Sequence, residues 1–406
     1  MTALRRIARR RDLLSLFAII FLTDLAIGIY RTTFSLFADS LGVRLAVIGT
    51  LGGMEGLVRI LVSMPIGMLS DRLERRKVLA GGLLLFALTY ALTSVVTEPL
   101  VLYLLRAMIG ISVASTFYIG VALIGDRAEA QDQGLSIGIY TTCMGIGFAV
   151  GSGVGGRLAE DVGFRTGFVV ASGVVLLALA LLRWGPAWRT TRSESSREQT
   201  RLPLSAQFKV LVRNPVILAA CLGHLGISMS NEGATFGFFP LYAASLGAGK
   251  AMIGAMFSIR MIMSAGSRIP TGVLASGFRS RYLMTGALLL GMSSVLGMGF
   301  VSHPVPLTLL LAGEGVAFGV YFASASTAIA QNTEEKNRGA ATGLFTTTGS
   351  VGSTVGPVGL GRAAEQWGLS SVFWITSAVL AVGLLVNSVF NLRAEGDASV
   401  TGENTG

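Results

Sequence analysis

Long apolar runs dictate the solvent in which this chain must fold. Leu13 to Phe37, Ala46 to Leu69, Val78 to Val96 and Pro99 to Val121 follow one another with only short polar breaks. Each holds about the twenty residues that cross a hydrocarbon core of roughly 30 Å at 1.5 Å per residue. Further spans fall near 135–156, 166–182, 216–241, 251–274, 282–301, 304–328, 340–361 and 371–390, twelve in all, with the Gly-rich fifth and eleventh carrying the weakest signal. Only 13% of the 406 residues are charged, too few to cover a water-facing surface of that size, so lipid is the solvent for much of the chain. Arg5, Arg6, Arg9, Arg10 and Arg11 precede the first run, in the manner of a signal peptide. That run is too long for one, lacks a small-residue cleavage site and leads into another span, so it reads as a retained membrane helix.

A net charge of +10 could indicate a nucleic-acid binder, but the placement of the charges argues otherwise. Of 32 basic residues, 22 fall in the N-terminus, the even-to-odd loops and the C-terminal tail, and only Arg44, Arg157, Arg165, Lys250 and Arg362 fall in the opposite loops. Basic residues stay cytoplasmic during insertion, which predicts both termini inside a bacterial-type plasma membrane. Cys143 and Cys221 lie within spans and read as packing thiols rather than a disulfide.

The chain repeats itself at one constant offset of 205 residues. Ser40-Leu41-Gly42 returns as Ser245-Leu246-Gly247, Pro65 and Gly67 as Pro270 and Gly272, Pro99 as Pro304, and Thr141-Thr142 as Thr346-Thr347. Gly156-Arg157 with Ala159-Glu160 returns as Gly361-Arg362 with Ala364-Glu365. Six spans per repeat, oriented alike, form the parallel-repeat arrangement that places a substrate site at mid-membrane between halves. The expected organisation is an N-terminal six-helix bundle over 1–182, a polar cytoplasmic linker over 183–215, a C-terminal bundle over 216–392 and a disordered tail over 393–406.

Gly67-Met68-Leu69-Ser70-Asp71-Arg72-Leu73-Glu74-Arg75-Arg76-Lys77 occupies the loop between spans two and three. It resembles the signature loop of the major facilitator superfamily, Gly-x-Leu-Ala-Asp-Arg-x-Gly-Arg-Arg/Lys, with Glu74 in place of the usual Gly. Arg106 to Gly110 in span four resembles the family's intramembrane Arg motif, with Ile109 where Gln is common. Gly138, Gly147, Gly151, Gly155 and Gly156 in span five match every glycine of the family's antiporter motif, with Ser152 for its Pro; the second copy keeps Gly343, Gly352, Gly356 and Pro357. The resemblance covers nearly the whole chain. It implies an all-α polytopic fold of twelve transmembrane helices in two pseudo-twofold-related six-helix bundles. It also implies a gating network of Asp71, Arg75 and Asp126 beside Gly67, Arg72 and Arg76, a proton-transfer role for Arg106, and close helix packing at the antiporter glycines. Small residues every fourth position would in any case let helices pack backbone to backbone. Proton-coupled export, drug efflux above all, is the activity the antiporter motif implies.

Nine charges lie inside spans: Asp24, Arg31, Glu55, Arg59, Arg106, Glu232, Arg260, Arg268 and Glu314. Such residues are costly in lipid and default to functional sites with partners. The first two spans are antiparallel and joined near residues 41–42, which puts Asp24 level with Arg59 and Arg31 level with Glu55; in the second half Glu232 is level with Arg260. Structural clasps are an equally good reading of these pairs. Glu314 has no level arginine in its own half, and its repeat partner Ile109 sits three residues from Arg106. The pseudo-twofold therefore predicts Glu314 facing Arg106, a pairing suited to proton coupling, with Asp24 as the second candidate carrier.

No metal spacing and no Gly-x4-Gly-Lys-Ser/Thr loop occurs, so neither an enzyme nor an ATP-driven pump is expected, nor any cofactor. The expected partners are a small-molecule substrate, protons and the bilayer, with the protein monomeric. An uptake symporter and a non-transporting receptor or scaffold are the alternatives.

Overall fold

A computed structural model describes residues 3–129, 131–184, 214–277, 280–334 and 337–402, with the backbone alone for 3–4, 71, 269, 273, 275–277, 338–339 and 390–402. The described chain is helical throughout. A short α1 (Ala3–Ala8) leads into α2 (Arg11–Ser40), α3 (Leu45–Arg72), α4 (Arg75–Val95), α5 (Val101–Arg127), α6 (Gln133–Asp161) and α7 (Phe164–Trp184). Then follow α8 (Pro215–Met229), a π-helical segment (Ser230–Phe238), α9 (Phe239–Ser245), α10 (Lys250–Gly277), α11 (Ser280–Met298), α12 (Pro304–Gln331), α13 (Arg338–Trp367) and α14 (Ser370–Gly402). Among the described residues eight helices, α2 to α7, α12 and α14, are by themselves long and apolar enough to cross a membrane. Of the other expected spans, the seventh is interrupted by the π segment and the eighth carries Lys250, Arg260 and Arg268. The eleventh is diluted by Gly, Ser and Thr.

The 205-residue repeat is written into the backbone. Among the described residues the positive-φ positions are Gly42 (75°), Gly163 (93°), Gly247 (87°) and Gly368 (83°), two pairs at the repeat offset. Gly42 and Gly247 end α2 and α9, where a left-handed residue costs glycine least. Packing repeats as well. In one half α2 packs on α6 and α7, and α4 on α5 and α7; in the other α8 packs on α13 and α14, and α11 on α12 and α14. The π segment has no counterpart, for the matching stretch of α2 is regular α-helix.

Two compact units emerge: Met1–Arg197 with Pro240–Ile262, and Glu198–Phe239 with Met263–Gly406. They depart from the expected halves because residues 240–262 pack on α6. A Cβ on Gly156 would lie 2.5 Å from Lys250 O, and one on Gly254 2.5 Å from Ser152 O, so these backbones touch. Ser258 Oγ adds a 2.6 Å bond to Ala149 O. Most of the expected linker, residues 185–213, lies outside the described residues. The tail expected to be disordered from 393 is helical to Gly402, since no proline stops α14 and Ala394 and Glu395 favour helix; residues 403–406 lie outside the description.

Candidate functional site

The buried charges of the first unit meet where α5 crosses α3. Gly110, one turn beyond Arg106, allows the crossing: a Cβ there would lie 2.8 Å from Glu55 O and 3.1 Å from Val58 Cβ. The Glu55 carboxylate is thereby carried to Arg106, and Arg106 Nη1 meets Glu55 Oε2 at 2.6 Å with both side chains buried. The Arg106 guanidinium also lies 3.8 Å from the Phe34 ring centroid, a cation–π contact that fixes its plane. Arg31 and Arg59 stand within electrostatic range of the same carboxylate. One acid thus gathers three arginines.

This arrangement adds to the expected pairs and removes one of them. Glu55 takes Arg106 as a contact partner, a pair the level count did not foresee, because α3 packs chiefly on α5; Arg31, expected level with Glu55, acts electrostatically on the same carboxylate. Arg106, the cation expected to face Glu314, bonds Glu55 within its own unit. Glu314 itself is buried in α12 of the second unit. Asp24 forms no ion pair with Arg59; it is 6% exposed, its Oδ2 has no hydrogen-bond partner, and the cation that acts on it is Arg31 on its own helix. Glu232 accepts a 3.0 Å bond from Asn231 Nδ2, and Arg260 is buried.

The signature loop lies at the end of the first unit that carries α1. Arg75 Nη1 holds Asp126 Oδ2 at 2.8 Å, joining two of the three residues expected in the gating network; the Asp71 side chain lies outside the described residues. Arg75 opens α4 and Asp126 sits one residue from the end of α5, so each charge opposes its own helix dipole and their pairing offsets both. Arg76 Nη2 donates to Leu182 O (2.7 Å) and Arg183 O (3.1 Å), capping the last carbonyls of α7. Arg72 is exposed, and a Cβ on Gly67 would meet nothing within 4 Å.

The motif reading missed the pairs that complete this ring. Arg6 grips Asp132 through both carboxylate oxygens (2.9 and 2.6 Å). Arg10 bonds Asp12 at 2.9 Å and the Arg127 carbonyl at 3.1 Å, and Arg127 stands 3.7 Å from Asp12. Apart from Arg10–Asp12, these contacts join residues more than a hundred positions apart, for which local sequence offers no signal. The Arg6 guanidinium, by hydrogen bonding, holds the Asp132 carboxyl below the usual carboxylate range.

The antiporter glycines divide. Gly147, Gly151 and Gly155 seat α6 on the α2 backbone at Phe21, Leu25 and Ile29, and Gly28 returns the contact at Phe148. In the second unit Gly352 and Gly356 seat α13 on α8 at Leu225 and Met229, and Pro357 lies against Gly233 of the π segment. Gly138 and Gly343, expected to pack likewise, face open space, since a Cβ on either would meet nothing within 4 Å. At the far end of α6, Glu160 Oε2 accepts from Ala251 N (2.8 Å) and Lys250 Nζ donates to Ala159 O (3.2 Å). His224 stacks on Phe345 at 3.9 Å and bonds its carbonyl at 2.8 Å, a packing role.

The model of the Major Facilitator Superfamily matches residues 16–243 and 225–405. An uncharacterised MFS-type transporter of Methanocaldococcus jannaschii is 22% identical over 92% of this chain and 96% of its own. The quinolone resistance protein NorA of Staphylococcus aureus is 28% identical over 52% of this chain and 54% of its own. The inner membrane metabolite transport protein YgcS of Escherichia coli is 22% identical over 83% and 81%. Among solved structures, a bacterial homologue of the human lysosomal transporter Spinster, inward-facing and occupied, superposes with a TM-score of 0.81 at 15% identity, covering 94% of this chain and 97% of that one. The nucleoside transporter NupG, as its D323A mutant, gives 0.77 at 16%, covering 93% and 99%. With its repeat, its signature loop and these matches, the chain belongs to the Major Facilitator Superfamily.

Proposed function

We propose that this transporter is a secondary active exporter that works by alternating access, releasing an amphipathic small molecule in exchange for protons. Its place on this reading is a bacterial-type plasma membrane with both termini cytoplasmic, as the arginine distribution implies. The observation that carries proton coupling is Asp24. It is a buried acid with one carboxylate oxygen lacking a hydrogen-bond partner, so it can take and release a proton without breaking an ion pair. Glu55, held by Arg106, cannot. The antiporter glycines and the likeness to a quinolone resistance protein favour export. Three arginines around one glutamate favour a substrate with an anionic or zwitterionic head group.

Everted, energised vesicles test the proposal. A transported substrate added outside should collapse part of the inward proton gradient, and Asp24→Asn should still bind substrate while losing that response. Transport with no proton movement would refute the coupling. A full response in Asp24→Asn would return the carrier role to Glu314, tested as Glu314→Gln. The likeness to a metabolite transport protein favours uptake symport as the second reading, under which substrate at this face would leave the gradient intact.

A further inference from the structure

The arginines ahead of the first span serve more than insertion. Two of the five are consumed by the protein: Arg6 by Asp132, and Arg10 by Asp12 and the Arg127 carbonyl. Ile7 between them is 3% exposed and pins α1 against the unit. Arg5, Arg9 and Arg11 are exposed, and among the described residues their guanidiniums make no hydrogen bond or ion pair. Three residues beyond Arg11, Leu14 is 44% exposed, an apolar side chain turned outward where α2 enters lipid. Three unspent guanidiniums thus stand on an anchored segment within a few residues of an outward apolar side chain at the start of a membrane-length helix.

We propose that Arg5, Arg9 and Arg11 form a docking site for anionic phospholipid head groups. The planar guanidinium suits the phosphate, offering two parallel donors to two oxygens. The ion pairs of Arg6 and Arg10 hold the segment in place, so little freedom is lost on binding. A bilayer lipid is the occupant because the patch is continuous with outward apolar surface, which neither a nucleic acid nor an acidic protein would require. The site is also wired to the ring described above. Arg6 reaches the start of α6 and Arg10 the end of α5, one residue from the Asp126 that Arg75 holds. Head-group charge therefore bears on the contacts between α2, α4, α5 and α6.

Each arginine near an anionic surface strengthens attachment about fivefold, so three give about a hundredfold, weakening as salt screens them. The purified full chain, in nanodiscs of phosphatidylcholine doped with phosphatidylglycerol, should retain phosphatidylglycerol on transfer to detergent, as counted by mass spectrometry. The excess should fall as salt rises and be lost in the triple variant Arg5→Gln/Arg9→Gln/Arg11→Gln. Because removing these charges can disturb insertion, the lysine triple variant serves beside it: charge is kept, and retention should fall only partly. Equal retention of both lipids by the wild-type protein would overturn the proposal, as would full retention in the glutamine variant. Displacement of the lipid by a short oligonucleotide at lower concentration than free phosphatidylglycerol would assign the patch to nucleic acid and also overturn it.

Discussion

Gly151 and Gly138 belong to one sequence motif, and alanine should have opposite effects at the two. A Cβ on Gly151 would lie 2.8 Å from the Leu25 carbonyl carbon and 3.0 Å from Leu25 Cα, with Leu25 O closer still. Those atoms are helix backbone and cannot rotate away. Reaching even the tight end of ordinary contact, 3.4 Å, requires α2 and α6 to part by about 0.6 Å or more, loosening the contacts at Gly147, Gly155 and Gly28 as well. Overpacking of this kind costs about 1–3 kcal/mol, or roughly 2 to 10 °C in unfolding midpoint for a unit of this size. At Gly138 the space is open, and alanine should be neutral or gain up to about 1 kcal/mol from helix propensity. Unfolding of purified protein can be followed with a thiol-reactive dye, because Cys221 is buried and Cys143 half-buried. Comparing midpoints at one scan rate separates the variants even where unfolding is irreversible. A Gly151→Ala protein as stable as wild type, or equal losses at both positions, would refute the reasoning.

Arg106→Ala removes the arginine that bonds buried Glu55 and should cost up to about 3–5 kcal/mol; Glu55→Gln/Arg106→Gln should recover much of this in the same assay, and a double variant less stable than the single would contradict the pairing. Gly247→Ala and Gly42→Ala each force alanine into a left-handed conformation and should each cost about 1–2 kcal/mol, with unequal losses counting against the structural equivalence of the halves. The Asp132 pKa is lower folded than unfolded, so its contribution is complete above the unfolded value of about 4 and is lost as pH falls through the depressed one. Hydrogen exchange over residues 3–8 should show α1 docked at neutral and mildly acidic pH and released only below about pH 4, whereas Arg6→Gln should release it at neutral pH.

Much of the architecture is local and therefore legible in sequence. Span length and apolarity are properties of contiguous residues, and a duplication leaves its register in Pro, Gly and Ser-Leu-Gly, which is why the left-handed glycines recur at the 205-residue offset. Helix starts at Leu45 and Lys250, and at Gln133 and Arg338, keep the same offset. Family membership rests on the same local signals.

Partner choice is not local. Level depth follows from residue counting, but contact also requires knowing which helices touch and how each is rotated. Sequence adjacency put Glu55 level with Arg31 and gave no hint of Arg106; tertiary packing lays α3 on α5 and brings Arg106 to Glu55 through the notch at Gly110. The same holds for the antiporter glycines, identical in sequence yet divided into seats and open positions, and for the arginine ring closed by Asp12 and Asp132. The π segment has a repeat counterpart that stays α-helical, so it too is a tertiary decision. Sequence by itself determined the solvent, the spans, the duplication and the family, because each is carried by neighbouring residues. Tertiary structure alone decided which buried charges are spent on one another and that Asp24 keeps an oxygen unspent, because those outcomes depend on side chains brought together from separate helices.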